Sequence, residues 1–161
     1  MTSVLFVCLG NICRSPTAEG VMRKKLQQAG LSDTIKVDSC GTGSWHVGSS
    51  PDERTISMAG QHGYDLSELR ARKLSANDYL RFDYILAMDT RNLADVIKTA
   101  PADFKGEIKL LLDFAPGDEL EVPDPYFGGE SGFLRVIQLI EAACDGFISQ
   151  YQANSSTDGR A

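Results

Sequence analysis

The chain has 161 residues, with 16 Lys plus Arg against 22 Asp plus Glu and a formal net charge of -6. With 42 % hydrophobic and 24 % charged residues it can bury one α/β or α+β core, which excludes two large domains and a wholly disordered chain. The acidic balance argues against nucleic-acid binding, and no apolar run approaches the roughly 18–20 residues of a membrane span. If so acidic a chain binds an anion, the attraction must be local.

Ser3 to Val7, a short β-branched and apolar run, predicts a buried strand broken by Gly10. Ser15-Pro16 opens a helix with proline at the favoured first position. Ala18, Val21, Met22, Leu26 and Ala29 recur at helical spacing, and Gly30 closes it. Ile35 to Asp38 reads as a second strand, followed by a Gly/Ser-rich loop from Gly41 to Ser50 that carries Trp45. Ser50-Pro51-Asp52-Glu53 has the spacing of a capping box and predicts a second helix ending near His62-Gly63. Arg72 to Leu80 reads as a loop with a short helical turn. Phe82 to Ala87 is a third strand, Asp89 to Lys98 a helix ended by Pro101, and Ile108 to Leu111 a fourth strand. A polar, proline-bearing loop from Ala115 to Gly129 leads to the clearest period in the chain: Phe133, Val136, Ile137, Ile140, Cys144, Phe147, Ile148 and Tyr151. From Asn154 the composition is polar, so the expected domain is 1–153 with a flexible tail over 154–161. The alternation of strands and helices predicts a single α/β domain: a four-stranded parallel sheet with helices on both faces and right-handed crossovers. Ligands in such sheets bind beyond the carboxyl ends of the strands.

The four cysteines, Cys8, Cys13, Cys40 and Cys144, do not read as a disulfide framework, because a chain of this length builds its own core. Val4 to Val7 is too short for a signal-peptide core, and the expectation is a cytoplasmic protein with reduced thiols. Cys144 falls in the last apolar stripe and Cys40 at a strand end, both read as core. Only Cys8 and Cys13 stand at a C-x4-C spacing, and the two histidines, His46 and His62, are far from them in sequence, so neither a metal nor a cofactor is expected.

The informative segment is Val7-Cys8-Leu9-Gly10-Asn11-Ile12-Cys13-Arg14-Ser15-Pro16. A loop between a strand and a helix start can turn backbone N–H groups inward, and the helix terminus adds positive potential. Together they suit a phosphate-like dianion. Gly10 permits a tight path, Asn11 tolerates left-handed backbone angles, and Arg14 offers a planar fork to two oxygens of one phosphate. The nucleotide P-loop pattern and the dinucleotide glycines are both absent. The field that binds an anion also favours thiolate over thiol at Cys8, which makes Cys8 a nucleophile aimed at the bound group. Ser15 has two candidate roles, capping the helix or donating its hydroxyl to the thiolate.

C-L-G-N-I-C-R-S-P, Cys8 to Pro16, closely resembles the signature of the low-molecular-weight protein tyrosine phosphatases. The resemblance extends from about Val4 to Ile148. It includes Val37 to Ser39, Ala71-Arg72, Phe82 to Asp89 and the D-P-Y-F of Asp124 to Phe127. It implies hydrolysis of phosphotyrosine through a phosphocysteine, with Cys8 as nucleophile, Arg14 and the loop amides on phosphate, and Asp124 as general acid and base. On the residues alone, Asp124 is equally an Asp-Pro turn between two prolines. Trp45 and Tyr126 are aromatic residues in loops that could wall the cleft, or simply pack there. The resemblance places them beside the substrate ring, with Leu9, Gly10, Asn11, Ile12, Cys13 and Ser15 completing the substrate-binding set. It further implies a supporting network of His62, Ser39 and Asn11, although His62 alone reads as a polar helix end. Asp52 and Asp89 join that polar shell or start helices. Phe127 stands where some family members have a second tyrosine.

The implied partners are a phosphotyrosine protein or peptide, with phosphate as product and a bacterial tyrosine kinase as a candidate opponent. The expected state is a monomer without nucleic-acid or membrane partners. Two other readings stand beside this one. An arsenate reductase of the same fold would use the cradle for arsenate but needs a downstream cysteine pair, whereas Cys40 and Cys144 stand apart. A phosphate-binding or redox-sensing module without catalysis would have no use for Cys8, Arg14 and Asp124 together. Cys13 follows Cys8 by five positions in a curled loop, so a Cys8–Cys13 disulfide could shield the nucleophile from irreversible oxidation.

Overall fold

The computed structural model describes residues 1–126 and 129–158. Four parallel strands form the sheet: β1 (Thr2–Cys8), β2 (Ile35–Gly41), β3 (Tyr84–Ala87) and β4 (Glu107–Leu110), in the order β2-β1-β3-β4. The helices are α1 (Arg14–Gln28), α2 (Glu53–Gln61), α3 (Asp78–Arg81), α4 (Thr90–Thr99) and α5 (Glu130–Asp158). Alternate residues of β1 face opposite sides, and both sides are buried. Val4 and Phe6 join a core with α1, α2 and α5, while Leu5 and Val7 pack with Tyr79, Phe82 and Val96 from the α3–α4 side. That explains why β1 reads as a continuous apolar run. Each such side chain contributes on the order of 1.5–3 kcal/mol when fully buried.

β1 leads outward to β2 on one side, and the chain then crosses to β3 on the other. The strand order therefore reverses between β1 and β3. This places a crevice at their carboxyl ends, where Val7 pairs in register with Ala87.

Several element ends differ from the sequence reading. β2 continues past Asp38 to Gly41, because Gly41 must lie against the loop after β1. A Cβ there would come within 2.7 Å of the Leu9 carbonyl oxygen. α2 starts at Glu53 with Asp52, not Ser50, as its N-cap; the Asp52 carboxylate accepts the Arg54 N–H at 2.8 Å. β3 begins at Tyr84, since Asp83 is already engaged with Ser3 through both backbone and side chain. A 3₁₀ turn at Leu111–Phe114 follows β4 and was not legible as an element. α5 runs to Asp158, past Asn154 where the composition turns polar, with no helix breaker in the sequence before Gly159.

Candidate active site

β1 ends at Cys8 and α1 begins at Arg14, so the loop between them lies at the β1/β3 crevice. Its carbonyls are tied outward. Those of Cys8, Leu9 and Ile12 accept the N–H groups of Thr42, Gly43 and Asp52 at 2.9 Å each. With the oxygens turned away, the N–H side of the loop faces inward. Asn11 makes the sharpest turn at φ 58°, in the left-handed region that asparagine tolerates, and its N–H donates to Cys8 Sγ at 3.2 Å. Ser15 Oγ lies 3.0 Å from the same sulfur. The N-cap of α1 is Cys13, without a side-chain cap bond. Of the two roles open to Ser15, the structure therefore shows contact with the thiol.

Arg14 is 4 % exposed and its Nη1 is fully used, donating to Asp89 Oδ2 at 2.6 Å and to the Val122 carbonyl at 3.0 Å. Nη2 has only a 3.9 Å approach to Asp124 Oδ2. One edge of the guanidinium is thus clamped and the other faces the cleft. Asp89 has both roles open to it: Oδ1 caps α4 through Asn92 N–H at 2.7 Å while Oδ2 holds Arg14.

The loop bearing Asp124 is fastened at three points. Glu121 accepts bonds from the Thr90 backbone and hydroxyl, and Val122 N–H reaches the Met88 carbonyl. Arg54 donates to the Tyr126 carbonyl at 2.8 Å and stacks over the Tyr126 and Phe133 rings. Asp52 accepts both ends of the same guanidinium, which holds its carboxyl below the usual range. Since Asp52 N–H also bonds Ile12, this pair connects the cradle to the acid loop. Asp124 is left 47 % exposed, with Oδ1 accepting the Tyr126 N–H at 3.0 Å.

These parts enclose a cleft of about 210 Å³. Cys8, Leu9, Gly10, Ile12, Cys13 and Arg14 line its base, and Trp45 and Tyr126 its sides, with Asp124 at the rim. His46 also lines it, its ring against Gly10; nothing in the spacing singled it out. Asn11 and Ser15, expected among the substrate-binding residues, stand behind the loop instead. They are 2 % and 0 % exposed and their side chains point toward β2. Phe127 lies outside the described residues.

The supporting network also differs in one member. Asn11 Nδ2 donates to Ser15 Oγ at 2.7 Å and to Ser39 Oγ at 3.0 Å, while its Oδ1 accepts Arg72 N–H at 3.0 Å. Ser39 then donates to Glu19 Oε1 at 2.7 Å. His62 is absent from this chain of bonds: it caps the C-terminal end of α2 and is exposed to solvent. Glu19 closes the network, and Arg72, itself held by Asp38 and Asp78, anchors its other end. Only the apolar stripe around Glu19 on α1 hinted that its carboxyl was buried.

Glu19 is 4 % exposed, and burial pushes its carboxyl above the ordinary glutamate range. A group with a raised folded-state pKa contributes stability below its unfolded pKa and loses it as pH rises through the folded value. The urea midpoint of the wild type relative to Glu19→Gln is therefore expected to fall as pH rises from the ordinary carboxyl range. A pH-independent difference would contradict this.

The family model described as low molecular weight phosphotyrosine protein phosphatase matches residues 3–157. The chain belongs to that family. A low molecular weight phosphotyrosine protein phosphatase from Schizosaccharomyces pombe is 50 % identical over 86 % of this chain and 90 % of its own. Among solved structures, a protein tyrosine phosphatase from Entamoeba histolytica with Hepes in its active site superposes with a TM-score of 0.92. It is 40 % identical, over 96 % of this chain and 99 % of that one. A Drosophila arginine phosphatase superposes at a TM-score of 0.88 with 36 % identity, over 94 % of this chain and 97 % of its own. The four-stranded parallel sheet in one domain is the fold shared with the solved tyrosine phosphatase from Entamoeba histolytica.

Proposed function

We propose that the protein hydrolyses aryl phosphate monoesters, foremost phosphotyrosine in proteins, through a phosphocysteine intermediate. The observation that carries this reading is the convergence of Cys8, Arg14 and Asp124 on one cleft with Trp45 and Tyr126 as its walls. The aromatic walls suit a phenyl ring, and the cradle at the base suits a phosphate at the end of it.

In the first step the Cys8 thiolate attacks phosphorus and the bond to the phenolic oxygen breaks. The Asn11 N–H and Ser15 hydroxyl supply the contacts a thiolate uses. Arg14 and the inward loop amides hold the equatorial oxygens, and Asp124 gives its proton to the leaving oxygen. In the second step Asp124, now a carboxylate, takes a proton from water as that water attacks the phosphocysteine, releasing phosphate and restoring the thiolate. Peroxide would oxidise Cys8 to a sulfenic acid, and attack by the Cys13 thiol with loss of water would give the protective disulfide. Burial pushes the resting Cys13 thiol up to about 12, so Cys13 is no rival nucleophile at neutral pH and its closure onto an oxidised Cys8 is slow until it loses that proton. The fully buried Cys40 and Cys144 make a poor relay for arsenate reduction.

The test is initial-rate turnover of matched peptides carrying phosphotyrosine or phosphoserine, with free phosphoarginine as a third substrate because one structural relative is an arginine phosphatase. Phosphotyrosine is expected to exceed both in kcat/KM by at least about 100-fold, a specificity of the size that a shaped pocket with oriented polar groups supplies. Faster turnover of either competitor would overturn the aryl assignment.

A further inference from the structure

A second groove, of about 540 Å³, opens beside the catalytic cleft and shares Leu9 and Trp45 with it. Its charged lining is unusual for so acidic a chain: Lys73, Arg91 and Lys98 face one carboxylate, Asp95. Lys73 follows Arg72 in the segment bridged to Gly41, while Arg91, Asp95 and Lys98 recur at i, i+4 and i+7 along one face of α4. All three cationic side chains are exposed. Among the described residues none of them forms an ion pair or a side-chain hydrogen bond, Asp95 included. Several other cations are engaged: Arg14, Arg23, Lys25, Arg54 and Arg72 each hold a carboxylate. Three uncommitted cations around one concavity repel one another, and a bound anion relieves that repulsion.

Position identifies the anion. Trp45 and Leu9 line both cavities, so a peptide whose phosphotyrosine ring lies in the cleft can pass over Trp45 directly into the groove. An extended chain advances roughly 3.3–3.6 Å per residue, so the groove meets side chains close to the phosphotyrosine in sequence. We propose that this groove is a subsite for an acidic side chain, Asp or Glu, that the substrate carries near its phosphotyrosine; the inference rests on the phosphotyrosine phosphatase reading. It resolves the tension between a net charge of -6 and an acidic phosphoprotein substrate. The chain as a whole repels such a substrate, and the face beside the cleft attracts it.

The experiment compares two phosphotyrosine peptides that differ only in flanking Glu or Gln, with p-nitrophenyl phosphate as a substrate too small to reach the groove. Wild type is expected to prefer the Glu peptide about five- to tenfold in kcat/KM, mainly through KM, with the preference shrinking as salt is added. Arg91→Glu combined with Lys98→Glu is expected to abolish or invert that preference while p-nitrophenyl phosphate turnover stays within about twofold. Asp95→Asn is expected to enlarge it. If the double variant also loses p-nitrophenyl phosphate turnover, Lys98→Gln alone replaces it and must still reduce the preference. Equal kcat/KM for both peptides in wild type, or a preference that survives the reversal, overturns the subsite and leaves the phosphatase reading intact. Turnover of p-nitrophenyl phosphate with neither peptide accepted overturns both.

Discussion

Cys8→Ser is expected to remove turnover of any phosphate monoester, by at least about 10⁴-fold, while phosphate binding survives. The reason lies in what the substitution keeps and what it takes. Serine preserves the side-chain shape, so the Asn11 N–H and Ser15 hydroxyl still meet a polar atom, and the outward ties of the loop carbonyls are untouched. Arg14 keeps its clamp on Asp89 and Val122. What is lost is the thiol nucleophile: a serine hydroxyl is far less acidic and needs a general base, and the groups that meet the sulfur, the Asn11 N–H and the Ser15 hydroxyl, are not bases. In the proposed mechanism Asp124, at the rim, serves the leaving oxygen instead. Calorimetric titration with inorganic phosphate should therefore give a Kd within about threefold of wild type, since the anion contacts come from amides and Arg14. Residual turnover near the wild-type rate would overturn the covalent mechanism. Loss of phosphate binding together with turnover would mean that Cys8 is needed for the shape of the cradle, and the experiment would then say nothing for a nucleophile.

The cradle was legible in the sequence because its physics is local. A strand end, a residue that accepts left-handed angles, an arginine and a Ser-Pro helix start all fall within about ten consecutive residues of Cys8, and neighbours in sequence must be neighbours in space. The same reasoning could not find the network behind it. Glu19, Ser39 and Arg72 come from α1, β2 and the loop before α3, and only the pairing of β1 with β2 brings them together. His62 was misplaced for the complementary reason. A histidine beside a helix-ending glycine has the same local signal whether its ring points into the protein or out, and here the helix leaves it outside. Asp124 lay between these cases. Its two flanking prolines marked a constrained loop, but nothing local said that Glu121, Val122 and Arg54 would carry that loop across to Arg14. The groove of Lys73, Arg91 and Lys98 was hidden in the same way, because net charge averages over a surface whose cations are not evenly spread.

Asp124→Ala is expected to make the rate depend on the leaving group, which wild type largely hides. A tyrosine phenoxide, with a phenol pKa near about 10, is a poor leaving group at neutral pH unless it is protonated as the P–O bond breaks. General acid catalysis of that kind contributes typically about 10²–10⁴-fold. For phosphotyrosine peptides kcat/KM should therefore fall by that order. For aryl phosphates whose phenols are far more acidic, the leaving oxygen needs little help and the fall in kcat/KM should shrink toward tenfold or less. kcat for those same substrates should still fall strongly, because water attack on the phosphocysteine has lost its base. A quenched-flow burst of phenol followed by slow turnover would show the intermediate accumulating, which wild type need not do. Affinity supplies an internal control. Asp124 Oδ2 stands 3.9 Å from Arg14 Nη2, so removing the carboxylate takes negative charge away from the anion site. The half-exposed carboxylate is screened by solvent, so the gain should be small, with phosphate inhibition unchanged or tightened by a few-fold. A weaker phosphate site in the variant would point to collapse of the loop that Arg54 and Val122 hold. A uniform loss across leaving groups, with no burst, would remove Asp124 from the proton transfers and return it to the turn that its prolines alone suggest.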